Sequence, residues 1–498
     1  MYAGRLSFTA IPRIKMLSNK GFRNWTILIR MTKVFVLGID GAAPELIFEK
    51  WLDELPTIQK LMRKGQYARI FSSVPPATLI AWNSFVSGRD AGELGVYSYM
   101  KKSVKTREES ELVNSTSIKK ERIWKVLGKE GKRSIVLNVP LTCPVEELNG
   151  VMVSDFLTPD INADCAYPPS LKEKIRKLGN ADYYFDVAEF IGYKDLDIDL
   201  LLKRVYEMTD MQLRLLKDLM VHEKWDFCME VLIGSDRIQH MLWNHFDETH
   251  WNYIENSPHK DALKDYYKYV DKELGKILEL LDDDTVVIVS SDHGMIPHRG
   301  KININEWLRT EGYLVLKKDF EKEIAGKKAR LRIHGIDFSK TTVHEVGAYH
   351  ARFYINKKGR DPQGVVPAEK YEAFRDELAK KLQAITDDKG RKLKTKIFKP
   401  EEVYCNGFDE NAPDLIVYFD DLQWCANPNL GYNGLYSWET GTGSDAAGHA
   451  PYGIFVMAGK GIPQRGDRGT INILDVTPTL LKLFKLPVPK DMQGKALI

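Results

Sequence analysis

The sequence predicts an α/β fold: a mostly parallel central sheet covered on both faces by helices, in three layers. Continuous apolar runs of strand length recur at residues 34–39, 134–139, 227–233, 285–290, 415–418 and 453–458. Runs without polar alternation are what strands buried on both faces require. Longer helical patterns lie between them, the two longest over 199–221 and 260–281, with apolar residues three and four apart. Alternation of such strands and helices indicates a parallel sheet, and chemistry in such sheets gathers beyond the carboxyl ends of the strands.

In chain order, strand 34–39 (VFVLGI) opens the sheet, and residues 79–88 read as a helix closed by Gly88. The polar stretch 101–120 reads as a surface loop. Residues 300–403 read as a small α+β insertion, with strands at 351–355 and 393–398 and a helix at 368–382. Residues 31–498 are thus expected to form one domain carrying that insertion.

Of 498 residues, 43% are apolar and 28% charged, the balance of a globular chain rather than a disordered or collagenous one. A formal net charge of +3 gives no chain-wide field for a polyanion, so strong nucleic-acid binding is not expected. Residues 1–30 hold six basic side chains and no acidic one. They are expected to be a disordered leader or a misplaced start, since no apolar stretch of signal-peptide length is present. No apolar run reaches the roughly 18 residues of a membrane span. Five cysteines without a CxxC pair argue against a disulfide framework or thiolate zinc site, and a reducing cytoplasm is expected.

The first strand runs straight into Asp40. The strand at 227–233 leads to Gly234-Ser235-Asp236 and, four residues on, His240. A helix starting there would put both side chains on one face, where an oxygen and an imidazole can share an ion. The strand at 285–290 leads to Asp292-His293-Gly294, and His449 precedes the run at 453–458. Each position taken alone also suits a helix cap, a turn or a solvated loop. Together, three Asp and three His at the ends of separate strands are too many for one tetrahedral ion and suit two, with zinc or manganese favoured over calcium.

Thr78 stands where the helix over 79–88 begins, after Val74-Pro75-Pro76-Ala77. Free amides and the dipole at a helix start stabilise an anion, whether a phosphate oxygen or an alkoxide. A coordinated ion could activate the hydroxyl as a nucleophile; the plainer reading is an N-cap.

The segments GIDGAAPE, LPTIQKLMRKG, PPATLIAWNSFVSG, GSDRIQHMLW, SSDHGM and GHAPYGIFVMAGKGI, in this order, resemble the type I phosphodiesterase and nucleotide pyrophosphatase family of the alkaline phosphatase superfamily. The likeness runs over residues 34–494 and includes a closing DVTPTLL helix and tail. It implies an alkaline-phosphatase-like sandwich, with one divalent ion held by Asp236, His240 and His449 and a second by Asp40, Asp292 and His293. It also implies Thr78 as nucleophile and ligand of the second ion, and a small-molecule phosphate ester as substrate. Family members place a phosphoryl-contacting asparagine after a short His-Gly motif, whereas the comparable stretch here is LGVYSY, with Tyr99 in its approximate place. Asn83 is a nearby amide expected to serve the helix.

The expected activity is hydrolysis of phosphodiesters through a phosphothreonine. A phosphomonoesterase or phosphotransferase of the same superfamily is the alternative, with Arg89 or Arg237 as the extra cation. A sulfatase would need a formylglycine precursor that residues 75–87 lack in cysteine form, and a related phosphoglycerate mutase would use serine. A non-catalytic metal protein would not need Thr78, and a dinucleotide-binding oxidoreductase would need the absent GxGxxG. His344 and His350 are expected at most to flank the site, and the aromatic loop 424–438 either to stack a base or to pack the insertion.

Overall fold

The computed structural model describes residues 32–102, 109–178, 183–187, 197–438 and 445–498. The basic leader predicted over 1–30 lies outside them. The central sheet contains β1 (Lys33–Ile39), β2 (Gln66–Phe71), β3 (Ser134–Leu137), β4 (Gly150–Val153), β5 (Ala166–Tyr167), β6 (Phe227–Leu232), β7 (Thr285–Ser290), β8 (Tyr452–Ala458) and β9 (Gly466–Asn472). Their spatial order is β9-β2-β8-β7-β1-β6-β3-β4-β5. Only β8, against β2 and β7, and β5, against β4, run antiparallel to their neighbours. β1 lies between β6 and β7 and parallel to both, with Ile39 opposite Leu232 and Gly38 opposite Ser290. The carboxyl ends of three strands therefore come level at the middle of the sheet.

Among the helices are α1 (Pro56–Lys64), α2 (Thr78–Ser87), α3 (Ile123–Lys129), α4 (Ile198–His222), α5 (Gly234–Phe246), α6 (Ala262–Leu278), α7 (Tyr371–Gln383) and α8 (Val476–Leu483). Alternate residues of β1 face opposite ways. Phe35, Leu37 and Ile39 pack with α1, α4, α5 and α6, while Val34 and Val36 pack with α2, α3 and α8. This is the three-layer sandwich that the sequence predicts. Gly38 belongs to the α2 face, where an added Cβ would lie 2.5 Å from the Trp82 ring. The helix therefore sits closer to β1 than any larger residue would permit.

The apolar run at 415–418, expected in the central sheet, belongs to a second one. Leu415–Tyr418 lies between Ala351–Ile355 and Lys396–Phe398, with Val343–Glu345 at the far edge, all pairings antiparallel. The run reads as a buried strand because it is one. Leu415 and Val417 face the core beneath α7, and Ile416 and Tyr418 face Leu79, Ile80, Tyr97 and Tyr404. Part of 101–120 is more ordered than a loop, since Met100–Lys102 pairs with Glu109–Leu112. Among the described residues no helix is long and apolar enough to cross a membrane.

Candidate metal centre

The six expected ligands arrive from four segments at the carboxyl edge of the sheet. Asp40 follows β1, and Gly41 turns the chain with φ of +68°, a conformation open chiefly to glycine. Its N–H reaches Asp292 Oδ1 at 3.3 Å. Asp236 and His240 lie on one face of α5, four residues apart. Asp292 and His293 follow β7, after which Gly294–Pro297 pairs with Ala447–Ala450 and sets Met295 opposite His449. That antiparallel pair brings His449 to His293, their rings stacked at 3.8 Å between centroids.

Two groups result, Asp236 with His240 and His449, and Asp40 with Asp292 and His293; these are the two such triads among the described residues. Every histidine has Nδ1 against a backbone carbonyl: Ala447 O at 2.8 Å from His240, Pro76 O at 2.8 Å from His449 and Gly294 O at 3.0 Å from His293. A carbonyl only accepts, so Nδ1 carries the proton and the Nε2 lone pair turns into the cluster. His240 Nε2 and His449 Nε2 then face each other at 3.3 Å, with Asp236 Oδ1 at 3.3 and 3.5 Å from them. In the other group His293 Nε2 is 3.1 Å from Asp292 Oδ2 and 3.6 Å from Asp40 Oδ1. Tetrahedral ligands at about 2.0 to 2.1 Å from zinc stand about 3.3 to 3.4 Å apart. The buried Asp40 Oδ1, Asp236 Oδ1 and Asp292 Oδ2 have no hydrogen-bond donor, which a bound cation at each triad would remedy. The donor sets fit a pair of divalent ions.

The electrostatics agree. Burial, with Asp292 and Asp236 nearby, pushes the Asp40 carboxyl well above the usual range. Burial and Asp236 do the same to Asp292. Burial and the charge of His449 hold His293 far below its ordinary value, so it stays neutral. Burial alone would raise Asp236, yet His240, His449 and Arg237 hold it well below the usual range. Burial opposes the charge on His240, but Asp236 and then Asp445 push it up to about 10. In the ion-free protein a proton thus occupies the first triad in place of a cation.

Thr78 opens α2 and is buried. Its Oγ lies 3.2 Å from His293 Nε2, and the Tyr99 hydroxyl lies close to it. Burial drives the Tyr99 pKa upward, keeping the phenol a donor at neutral pH. A cavity of about 860 Å³ opens beside the first triad, with Asp236, His240, His449 and Tyr99 in its wall. Insertion residues, Glu345 to His350 among them, form the facing side.

Other expected residues fall elsewhere. Asn83 bonds Leu79 O, Pro140 O and Arg122 and serves the helix. Arg89 pairs with Asp491 at 2.8 Å, outside the cavity. Arg237 lines the cavity but grips Asp186 through two nitrogens, at 3.0 and 2.7 Å, and Asp236 at 2.9 Å. His350 lines the cavity, whereas His344 packs on Tyr354 and Phe338. Of the loop 424–438 only Pro428 reaches the cavity. Trp424 is buried against Tyr436 and Trp438, and Tyr432 lies under Lys328. The packing reading holds for that loop, because Trp424–Asn427 and Tyr436–Ser437 both pair with Gly300–Asn303.

Sequence reasoning missed three supporting residues. Trp82 Nε1 donates to Asp40 Oδ2 at 2.7 Å. Asp445 lies 3.2 Å from His240 Nδ1, and Tyr349 stacks on the His240 ring with its hydroxyl 3.2 Å from the same nitrogen. Asp445, four residues before His449, was the one with a local signal.

The fold, two Asp/His triads and a threonine at a helix start define a phosphoester hydrolase. The chain belongs to the type I phosphodiesterase / nucleotide pyrophosphatase family, whose model matches residues 34–442. Its fold is shared with human ectonucleotide pyrophosphatase / phosphodiesterase 5, at 14% identity over 93% of this chain and 97% of that one, TM-score 0.54. The murine counterpart, in an inactive threonine-to-alanine form in complex with AMP, matches at 14% identity, 92% and 96% coverage and a TM-score of 0.53. Phosphonoacetate hydrolase from Sinorhizobium meliloti 1021, in complex with phosphonoacetate, matches at 14% identity, 91% and 95% coverage and a TM-score of 0.57. These likenesses establish the alkaline-phosphatase-like α/β fold. No curated protein matches by sequence.

Proposed function

We propose that the protein is a phosphodiesterase in which Thr78 attacks phosphorus, supported above all by the 3.2 Å contact between Thr78 Oγ and His293 Nε2 at the start of α2. Asp40, Asp292 and His293, with Thr78 itself, would hold one divalent ion, zinc or manganese, and Asp236, His240 and His449 the other. Bound ions supply Lewis acidity, lowering the pKa of the Thr78 hydroxyl and offsetting charge on the leaving oxygen. The hydroxyl oxygen attacks in line and the ester oxygen departs opposite, leaving a phosphothreonine. Water then releases the phosphoryl group, and two inversions give net retention. Backbone amides at the start of α2 and the Tyr99 hydroxyl face the developing charge, Tyr99 taking the part of the family's asparagine. The inactive murine neighbour, with a threonine changed to alanine, supports the assignment of Thr78.

Diester preference is favoured because neither extra cation considered for a monoester is placed for it: Arg89 is held by Asp491, and Arg237 by Asp186 and Asp236. We place the protein in the cytoplasm, a reading supported by five unpaired cysteines. The test is a metal-reconstituted screen of bis(p-nitrophenyl) phosphate, p-nitrophenyl thymidine monophosphate, p-nitrophenyl phosphate and a sulfate ester. The diesters should turn over fastest, and chelation should abolish the activity. A higher kcat/KM for the monoester would overturn the diester reading.

A further inference from the structure

The cavity beside the first triad reaches well beyond the space that one phosphoryl group fills. Its far wall comes from the insertion, where residues 327–334 read KKARLRIH, four basic side chains and a histidine with no acid. Ala329–Arg330 pairs antiparallel with Asn429–Leu430, and period-two alternation carries on from it. Ala329, Leu331 and Ile333 pack against the insertion core, while Arg330 and Arg332 are exposed. Arg330, Leu331, Arg332 and Ile333 all line the cavity. Phe156 and Leu157 also line it.

Charge in this chamber does not balance for a simple diester. Three ligand carboxylates against two divalent ions leave one positive charge, which a phosphodiester monoanion cancels. Arg237 already has Asp186 and Asp236. The Arg330 guanidinium has no hydrogen-bond or ion-pair partner among the described residues, and the nearest acid to Arg332 is Glu323 at 3.9 Å, with both side chains well exposed. Among the described residues, Arg330 and Arg332 are thus two cations of the cavity wall without a close carboxylate.

Resting on the phosphodiesterase reading, the geometry points to a second anion subsite at Arg330 and Arg332. It suits phosphodiesters whose ester group has an apolar body ending in a carboxylate or phosphate. The body lies against Phe156 and Leu157, and the distal anion meets the two guanidinium groups, whose planar forks suit either oxyanion. Placement on the insertion makes this a specificity device separable from the triads.

The test compares p-nitrophenyl ω-carboxyalkyl and ω-phosphonoalkyl phosphates of graded chain length with the matching plain alkyl diesters. At the best length the anionic ester should exceed its plain partner about five- to tenfold in kcat/KM, the gain expected from two partly exposed charge contacts. In Arg330→Gln/Arg332→Gln that ratio should fall to about one. The carboxylate and phosphonate arms show which anion is preferred. In parallel, calorimetry measures binding of ω-carboxyalkylphosphonates and alkylphosphonates, where the same ratio should appear in Kd and shrink in high salt. If no diester is hydrolysed, the phosphodiesterase reading fails while the calorimetric ratio still tests the subsite. No anionic preference in the wild type, or a preference that survives the double substitution, overturns the proposal.

Discussion

The two ligand triads contain similar residues in opposite settings. Asp236, His240 and His449 border the cavity and have polar partners behind them: Arg237 on Asp236, Asp445 and Tyr349 on His240. Asp40, Asp292 and His293 are fully buried at the end of the sheet, with Trp82 and the Gly41 N–H as neutral donors and, among the described residues, no cation in contact. Consequently Asp236 is held low and His240 high, whereas Asp40 and Asp292 are driven up and His293 down. The open triad compensates itself without an ion; the sealed one is built around a charge it does not contain. Ligand identity alone does not describe a metal site, because the groups behind the ligands decide how far the empty site is strained.

The largest expected effect tests the link between Thr78 and the sealed triad. Thr78→Ala should lower kcat about a thousandfold or more while elemental analysis still finds both ions. A drop of only a few fold would detach the nucleophile from that triad. Next, Asp292→Asn and Asp236→Asn should each weaken one ion about a hundredfold or more, with opposite effects on the chelated protein. Asp292→Asn relieves repulsion with Asp40 and Asp236 and should raise Tm. Asp236→Asn strips a buried partner from Arg237 and His240 and should destabilise by about 3 to 5 kcal/mol. Equal signs in thermal scans would dissolve the contrast between the triads.

The pH dependence sharpens it further. His240 has a folded pKa raised from 6.5 to about 10, so its stabilising contribution is complete below the unfolded value and is lost as pH rises through the folded one. Asp40 and Asp292 are also raised, and they act in the same direction at lower pH. The Tm of chelated protein should therefore fall between pH 6.5 and about 10, and His240→Gln should flatten that fall. A metal-loaded sample should hold its Tm, because the ion replaces the proton. Asp445→Asn comes next, with about tenfold weaker binding of one ion, measured by competition with a chelating dye. Smallest of all, Trp438→Ala should leave the ratio of kcat/KM for a nucleotide ester and a nitrophenyl diester within about twofold, since its loop packs the insertion.

What could be read from the sequence was whatever a short segment determines by itself. Asp40, Asp236, Asp292 and His293 are each placed by the strand just before them, and α2 starts at Thr78 with Gly88 closing it. Partners that meet only in three dimensions were hidden. Trp82 reaches Asp40 from another layer, and Tyr349 reaches His240 from the insertion. The run at 415–418 looked like a central strand because burial on both faces leaves one signature in either sheet. Aromatic loop composition likewise does not separate stacking a base from filling a core, and the pairing of Gly300–Asn303 with both ends of 424–437 decides it.

The place of β8 governs when this protein becomes an enzyme. Within the sheet, β2 touches only β8 and β9, so residues 66–71 wait for a strand synthesised almost four hundred residues later. His449 lies just upstream of β8, on a strand that pairs with Gly294–Pro297. A nascent chain can therefore assemble β1, β6 and β7 and bury Asp40, Asp236 and Asp292 while the open triad still lacks its third ligand. Such long-range closure is slow relative to local helix formation. On the proposed assignment, ion capture at that triad would come only after residue 449 is made, and a product stopping before it would lack a complete pair of sites.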